Sequence, residues 1–303
     1  RAEDAGISNI GDHRSRRPSG GTTRQVSVVD IDDEGEVGPV RGPAPRLPQV
    51  AAAHHHVGPG VPVWPSPRIP VQHRRRGDAA ADDPFGSSDS NMVHQLLSRL
   101  PGHGYEVTMD WSHIGFGAWR EGSAILSRHP VLRSDSRYVS RPENSRRDAW
   151  KSRNIPRARV GVPGVGAVDV YSVHLGWWDD VDEPFAEQYQ RLLEWIAEDP
   201  ADIIVLCGDF NAPAGGPAYE AITGESGFVD LYLLANPGGM FDATIAGDAD
   251  GWEGTGQGQR IDYILVNEDS GLRVSEARRV FTASEFGQVS DHLGVFVTLE
   301  YAP

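Results

Sequence analysis

Apolar positions along the chain alternate between two periods. In "SNMVHQLLSRL" (90–100), Met92, Leu96 and Leu100 recur at close to one helical turn, which predicts a short amphipathic helix. In "DEPFAEQYQRLLEWIAEDP" (182–200), Phe185, Tyr189, Leu192, Leu193 and Ile196 share a face. Asp182 is the expected N-cap of that helix, and Pro184 falls in its first turn. Strand patterns surround these helices. "EGSAILSRHPV" (121–131) leaves a turn and stops at Pro130, and "AVDVYSVHLGWW" (167–178) alternates and is rich in Val and Tyr. "ADIIVLCGDF" (201–210) is apolar without alternation, the pattern of a strand buried on both faces. "RIDYILVN" (260–267) and "GVFVTLEY" (294–301) read as two more strands. Strands mixed with a few amphipathic helices predict an α/β protein whose sheet core is covered by helices. No internal repeat is visible.

The pattern fails in the first quarter. From Val37 to Gly77 there is no Asp or Glu, while nine prolines, six arginines and the run His54-His55-His56 are present. Proline at this density blocks helix interiors and central strands. Residues 1–81 are therefore expected to be an atypical Pro/Arg/His-rich segment, either a disordered extension or a stretch translated out of frame. Residues 82–303 are expected to form the globular domain.

Composition narrows the function classes. A net charge of −15 argues against sequence-independent binding to a phosphate backbone, which rests on Lys and Arg. No run approaches the ~18–20 apolar residues of a membrane span, and no basic start leads into an apolar core. The single cysteine, Cys207, lies inside an apolar strand. It is expected to be a buried, inert thiol, in keeping with a cytoplasmic location.

Polar groups gather at strand ends. His174 closes "VYSVH", Asp209 and Asn211 close "IIVLCGDFN", Asp262 sits in "RIDYILV", and Asp291 and His292 precede the last strand in "VSDHLGV". Such ends are where sheet proteins hold ligands and catalysts. Carboxylates with an amide oxygen suit a hard cation, Mg2+ or alternatively Mn2+. Two histidines add a base and a charge-stabilising donor, and a third carboxylate can orient one of them. Metal, base and orienting acid make a site for attack of water on phosphorus.

At these residues the chain resembles the endonuclease/exonuclease/phosphatase superfamily, through "SVHL", "GDFN", "RIDYI" and "SDH". Within it, "WSHIGFGAWREGSAILSRHPV", "SVHLGWW" and "GDFNAPAGGPAYEAI" look like segments of bacterial maltose 6′-phosphate phosphatases. The resemblance implies a four-layer α/β sandwich of two mainly antiparallel sheets packed face to face with flanking helices. It implies His292 as base or proton shuttle oriented by Asp262, and Asp209 as positioner of the water or as the base itself. Asn211 would hold a phosphoryl oxygen or the water, His174 would donate to the phosphoryl group, and Asp291 would bind or support the metal. It also implies an earlier strand ending in Asn and another ending in Gln-Glu, the principal metal ligand. Neither is legible. Reading "RQVSVVDIDDEGE" (24–36) as the first strand puts Asp30 or Asp32 where the Asn belongs, so Asp32 joins Asp209 and Asp291 as a metal candidate.

Bland readings stand beside these. Asp209 and Asn211 can cap a turn, His174 can be a packed core histidine, and Asp262 can pair with Arg260. Trp177 and Trp178 are a platform for a sugar ring or ordinary packing. Lys151 and Arg153 in "RRDAWKSRN" are phosphate contacts or solvated surface. The expected function is a metal-dependent phosphomonoesterase acting on a small phosphorylated sugar such as maltose 6′-phosphate. The alternatives are a phosphodiesterase of the same superfamily, nuclease or sphingomyelinase-like, or an inactive fragment lacking the N-terminal metal ligand. Oligomeric state is left open.

Overall fold

The computed structural model describes residues 24–32, 50–56, 91–100, 104–115, 119–224, 226–246, 258–282, 284 and 290–302. Two six-stranded sheets dominate. The strands are β1 (Arg24–Asp32), β2 (Val50–His56), β3 (Glu106–Gly115), β4 (Trp119–Ser127), β5 (Val131–Tyr138), β6 (Asn154–Val162), β7 (Gly166–His174), β8 (Ile203–Asp209), β9 (Phe228–Asp230), β10 (Asp262–Asn267), β11 (Leu272–Val280) and β12 (Gly294–Tyr301). One sheet runs β11-β12-β1-β2-β4-β3 and the other β5-β6-β7-β8-β10-β9. Each contains a single parallel pair, β1 with β12 and β7 with β8, and is otherwise antiparallel. The helices are α1 (Met92–Arg99), α2 (Phe185–Glu198), α3 (Pro217–Gly224) and α4 (Leu231–Ala235).

The layers follow from side-chain alternation in β8. Ile203, Val205 and Cys207 face a core shared with Val295, Val297 and Leu299 of β12. Ile204 and Leu206 face the opposite way, into a core with Phe185, Leu192, Trp195 and Ile196 of α2 and Ile222 of α3. A strand sandwiched between a sheet and a helix layer has no polar face, which is why its sequence lacks alternation. Truncating one of these side chains, Leu206→Ala for example, costs about 2–5 kcal/mol. On the far side of the first sheet, Val93 of α1 packs with Ala124 and Leu126 of β4. Helix, sheet, sheet and helix make the expected four layers. The Asn91 side chain caps α1, accepting from the amides of Val93 and His94.

Three expectations need correction. Asp182 does not cap α2. The N-cap position is Pro184, without a side-chain cap bond, and the Asp182 carboxylate binds Lys151 instead. Residues 24–32 form the first strand, in keeping with the reading of "RQVSVVDIDDEGE", whereas residues 50–56, in the stretch expected to lack strands, form a second strand of the same sheet. β2 is held on one side by β1 and on the other by β4, and pairing on both edges outweighs the weak strand propensity of "VAAAHHH". The rest of the expectation for residues 1–81 lies outside the described residues. The third correction concerns Asp32. β1 runs parallel to β12 and sets Asp32 opposite Glu300, eight residues along that strand from His292, about 26 Å at ~3.3 Å per residue. Asp32 therefore sits at the wrong end of the sheet to join a metal site with Asp209.

Candidate active site

Register assembles the site. The parallel pairing of β7 with β8 puts His174 beside Asp209, and the antiparallel pairing of β8 with β10 puts Asp209 beside Asp262. These three form a row across one end of the second sheet. His292 enters from the first sheet, two residues before β12. It is fixed by a bridge to Ile245 and by the Leu293 amide donating to the Thr244 carbonyl at 2.7 Å. The Thr244 hydroxyl, in turn, accepts from the amides of Ile261 and Asp262 at 3.1 and 3.2 Å. A single buried threonine thus ties the start of β10 to the His292 loop.

The abrupt stop of the apolar run at Gly208-Asp209 has a steric cause. Gly208 has φ +142°, and a Cβ there would fall on the Val173 carbonyl oxygen. Only glycine lets β7 and β8 close while turning Asp209 into the row. Asn211 is left-handed at φ 48°, a conformation that Asn tolerates better than most residues. Its amide donates to Asp209 Oδ1 at 2.7 Å, and its Nδ2 donates to the Leu175 carbonyl at 2.8 Å. That anchoring assigns the amide oxygen to the side away from Leu175.

His292 Nδ1 lies 3.0 Å from Asp262 Oδ2 and 3.2 Å from Oδ1, so Asp262 orients the ring. His174 Nε2 is 3.9 Å from Asp209 Oδ2. Asp209, Asp262 and His292 are buried, and each offers a ligand atom within 4.8 Å of the others'. Burial pushes the Asp209 carboxyl up to about 7, the Asp262 charge adds to this, and His292 opposes it. Burial alone would lower the His292 ring, but Asp262, Asp209 and Asp291 outweigh it and lift it to about 10. Two buried carboxylates this close call for positive charge. Their hard oxygens fit a divalent oxygen-seeking cation, so the residues present suit Mg2+ in part.

The other predicted residues distribute as follows. Asp291 adjoins His292 and accepts from the Ser290 hydroxyl at 3.1 Å. Arg153 is buried just before β6, close enough to Asp209 for each charge to act on the other. Lys151 holds Asp180 at 2.9 Å and Asp182 at 2.8 Å. Trp178 leans on Phe185, whereas Trp177 faces Trp150. The alternative pairing of Asp262 with Arg260 is not formed. Arg260 donates to Asp230 at 2.6 Å and lies among the rings of Tyr219, Tyr232 and Tyr263. Sequence reading missed Thr244, Trp150 and the buried pair His113–Glu121, 2.8 Å apart. Thr244 sits in a loop with no motif of its own, and Glu121 was visible only as the residue before a strand.

The sequence profile of the Endonuclease/Exonuclease/phosphatase family matches residues 73–292. That span includes every residue of the row. The chain belongs to the endonuclease/exonuclease/phosphatase family. It is 31% identical over 117 residues to YbhP of Escherichia coli K12, covering 35% of this chain and 43% of that protein. The match therefore spans less than half the length of that relative. An endonuclease/exonuclease/phosphatase family protein from Leptotrichia buccalis has a similar structure, with a TM-score of 0.58, 28% identity, and coverage of 69% of this chain and 77% of that one. One from Beutenbergia cavernae shares the fold at TM-score 0.55 and 21% identity, covering 73% and 60%. The endonuclease/exonuclease/phosphatase family comprises phosphoesterases and nucleases, generally phosphoester hydrolases that depend on a divalent metal. No helix among the described residues is long and apolar enough to cross a membrane.

Proposed function

We propose that the chain is a metal-dependent phosphomonoesterase that removes phosphate from a small phosphorylated sugar, of the kind maltose 6′-phosphate represents. The observation that carries the reading is the Asp262–His292 pair standing over Asp209 and His174 at converging strand ends. Asp209 and Asp262, with Asp291 beside them, would hold Mg2+, or Mn2+ in its place. The ion, when bound, would offset charge on the phosphoryl oxygens. Asp209 positions the attacking water and takes its proton. The His292 ring, with Asp262 on Nδ1, has Nε2 left for the substrate, and as an imidazolium it delivers a proton to the departing alkoxide oxygen. The carboxylates around it favour that charged form. His174 and the Asn211 amide steady the phosphoryl group, and Arg153 receives its charge. A net charge of −15 supports a small substrate over a polyanionic one. The lone buried Cys207 supports a cytoplasmic location.

The test compares kcat/KM with Mg2+ for a hexose 6-phosphate, a short DNA strand and sphingomyelin. The monoester should be preferred, and a preference for either diester would replace this reading with a phosphodiesterase. Asp209→Ala and His292→Ala should each remove turnover while the far-ultraviolet spectrum stays unchanged. Magnesium titration by calorimetry separates an active site from an inactive relic. Saturable binding below millimolar concentration is expected, and its absence would sink every metal-dependent reading.

A further inference from the structure

We infer that Trp150 and Trp177 form the wall of a sugar-ring subsite beside the phosphoryl site, with Arg153 and Asn154 supplying polar contacts. This deepens the reading above and rests on it for the phosphate. Sequence adjacency pairs Trp177 with Trp178, but the structure separates them. The Trp178 ring lies 6.0 Å from Phe185 at 44°, turned toward α2, while Trp177 lies 6.5 Å from Trp150 at 56°. Trp150 keeps 54% of its surface exposed.

That exposure does not come from a loose loop. Lys151 bridges to Asp180 and Asp182, and its ammonium lies 5.3 Å over the Trp150 ring. Arg153 donates to the Trp150 carbonyl at 3.4 Å, and the Ser152 amide donates to the Ala149 carbonyl at 2.9 Å. On the facing strap, buried Glu183 accepts from the Arg141 amide, the Asn144 side chain and Gln188. The backbone that carries both indoles is therefore anchored before any ligand arrives, and a preorganised surface saves part of the cost of ordering it on binding.

The second observation is independent of the rings. Arg153 Nε, Asn154 Oδ1 and Trp177 Nε1 are buried and have no hydrogen-bond partner. Buried polar atoms are nearly always paired, so such atoms point to a missing ligand or water. Arg153 and Asn154 are chain neighbours at the start of β6. Arg157 pairs with Tyr171, and three residues further on along each strand stand Asn154 and His174. Trp177 follows His174 within one turn of chain. Among the described residues Arg153 forms no ion pair; its guanidinium donates to the Trp150 and Ser152 carbonyls, which ties it to the loop that carries the exposed indole.

Two donors and an acceptor beside an aromatic wall match a polyhydroxylated ring. Each hydroxyl both donates and accepts, and the C–H faces pack on indole. Other ligands fit less well. A nucleobase favours a parallel slot, and these indoles are tilted. A choline head group is a cation, and the Lys151 ammonium 5.3 Å over the Trp150 ring would repel it, whereas a neutral sugar ring meets no such repulsion.

Steady-state kinetics of the full chain with Mg2+ test the subsite, using a hexose 6-phosphate and the ringless glycerol 3-phosphate. Trp150→Ala should raise KM for the hexose ester by about tenfold and alter that for glycerol phosphate by less than about twofold, with kcat kept for both. Trp150→Phe should recover most of the loss, which a folding defect would not. Equal effects on the two esters, or none on either, overturn the subsite. Should the wild-type chain hydrolyse neither ester, the phosphatase reading falls, and tryptophan fluorescence still decides the subsite. Saturable quenching by the hexose 6-phosphate that is lost in Trp150→Ala upholds it, and no saturable quenching overturns it.

Discussion

Asp262 makes no motif-level claim on chemistry by itself, yet it decides what His292 can do. With Asp262 3.0 Å from Nδ1, the ring is held in one orientation and its charge is favoured. Asp262→Asn keeps the size and a hydrogen bond but removes the charge that selects the imidazolium. Turnover should drop by roughly 10²–10⁴-fold, the range seen when a proton-transfer partner is mis-set. The melting temperature should change little, because the substitution also removes the repulsion between Asp262 and Asp209. A large fall in stability with modest loss of activity would make Asp262 a packing residue. Cys207 is the opposite case. Its thiol is fully enclosed, and burial pushes it up to about 12, so a thiol-specific disulfide reagent should leave the native chain unmodified and label one site only after denaturation. Labelling of the native chain would show that the β8 core opens. Both residues were legible early. Asp262 and Cys207 lie in strands whose patterns were plain, and only the partner of Asp262 was open between Arg260 and His292. Spacing alone does not set the register that settled it.

At the scale of elements, the β7–β8 pair carries a constraint that no buried-area argument captures. Gly208→Ala adds one methyl group, but it lands on the Val173 carbonyl in a backbone conformation that L-residues avoid. The parallel strands would have to part, and with them His174 and Asp209. Loss of about 3 kcal/mol or more is expected, read as a lower melting temperature or as insoluble protein, and a near-normal melt would mean that the strands can separate without cost. A second element-level device ties α2 to the loop after β5. Hydrogen bonds from Arg141, then Arg191, hold the Glu187 carboxyl down to about 2. Because the folded value lies below the ordinary 4.5, the stabilisation is present above that ordinary value and is lost as pH falls through about 2. Urea midpoints of the chain and of Glu187→Gln should differ at pH 6 and converge toward pH 2. A gap that persists at pH 2 would point to packing and not to charge. The sequence pattern was weakest among the elements here as well. β5 and β11 read "VLRSDSRY" and "LRVSEARRV", with most positions exposed or half-exposed. They are sheet edges, where charge protects against stray pairing and erases the apolar alternation that marks a strand.

For the whole molecule the question is what residues 1–81 contribute. The acid-free, proline-rich composition argued for an appendage, and the catalytic motifs all lie later. The pairing map says otherwise for two segments. β1 lies between β12 and β2, and β2 lies between β1 and β4, so these strands join the His292 side of the first sheet to the α1 side. The pattern "RQVSVVDID" announces the first of them, but "VAAAHHH" does little to announce the second, whose neighbours on both edges supply the backbone bonds. Without residues 1–81 the sheet would divide into a β11–β12 hairpin and a β3–β4 hairpin, each with a bare inner edge. Isolated two-stranded hairpins are marginal in water, and exposed apolar edges associate. The β12 core residues Val295, Val297 and Leu299 would then rest on the second sheet alone, and His292, two residues before them, would lose its fixed place. A chain of residues 82–303 is therefore expected to melt without a cooperative transition or to scatter light on standing, and to bind Mg2+ more weakly than the full chain. If that shorter chain melts cooperatively within a few degrees of the full one, the sandwich closes without β1 and β2, and the boundary read from composition is the structural one after all.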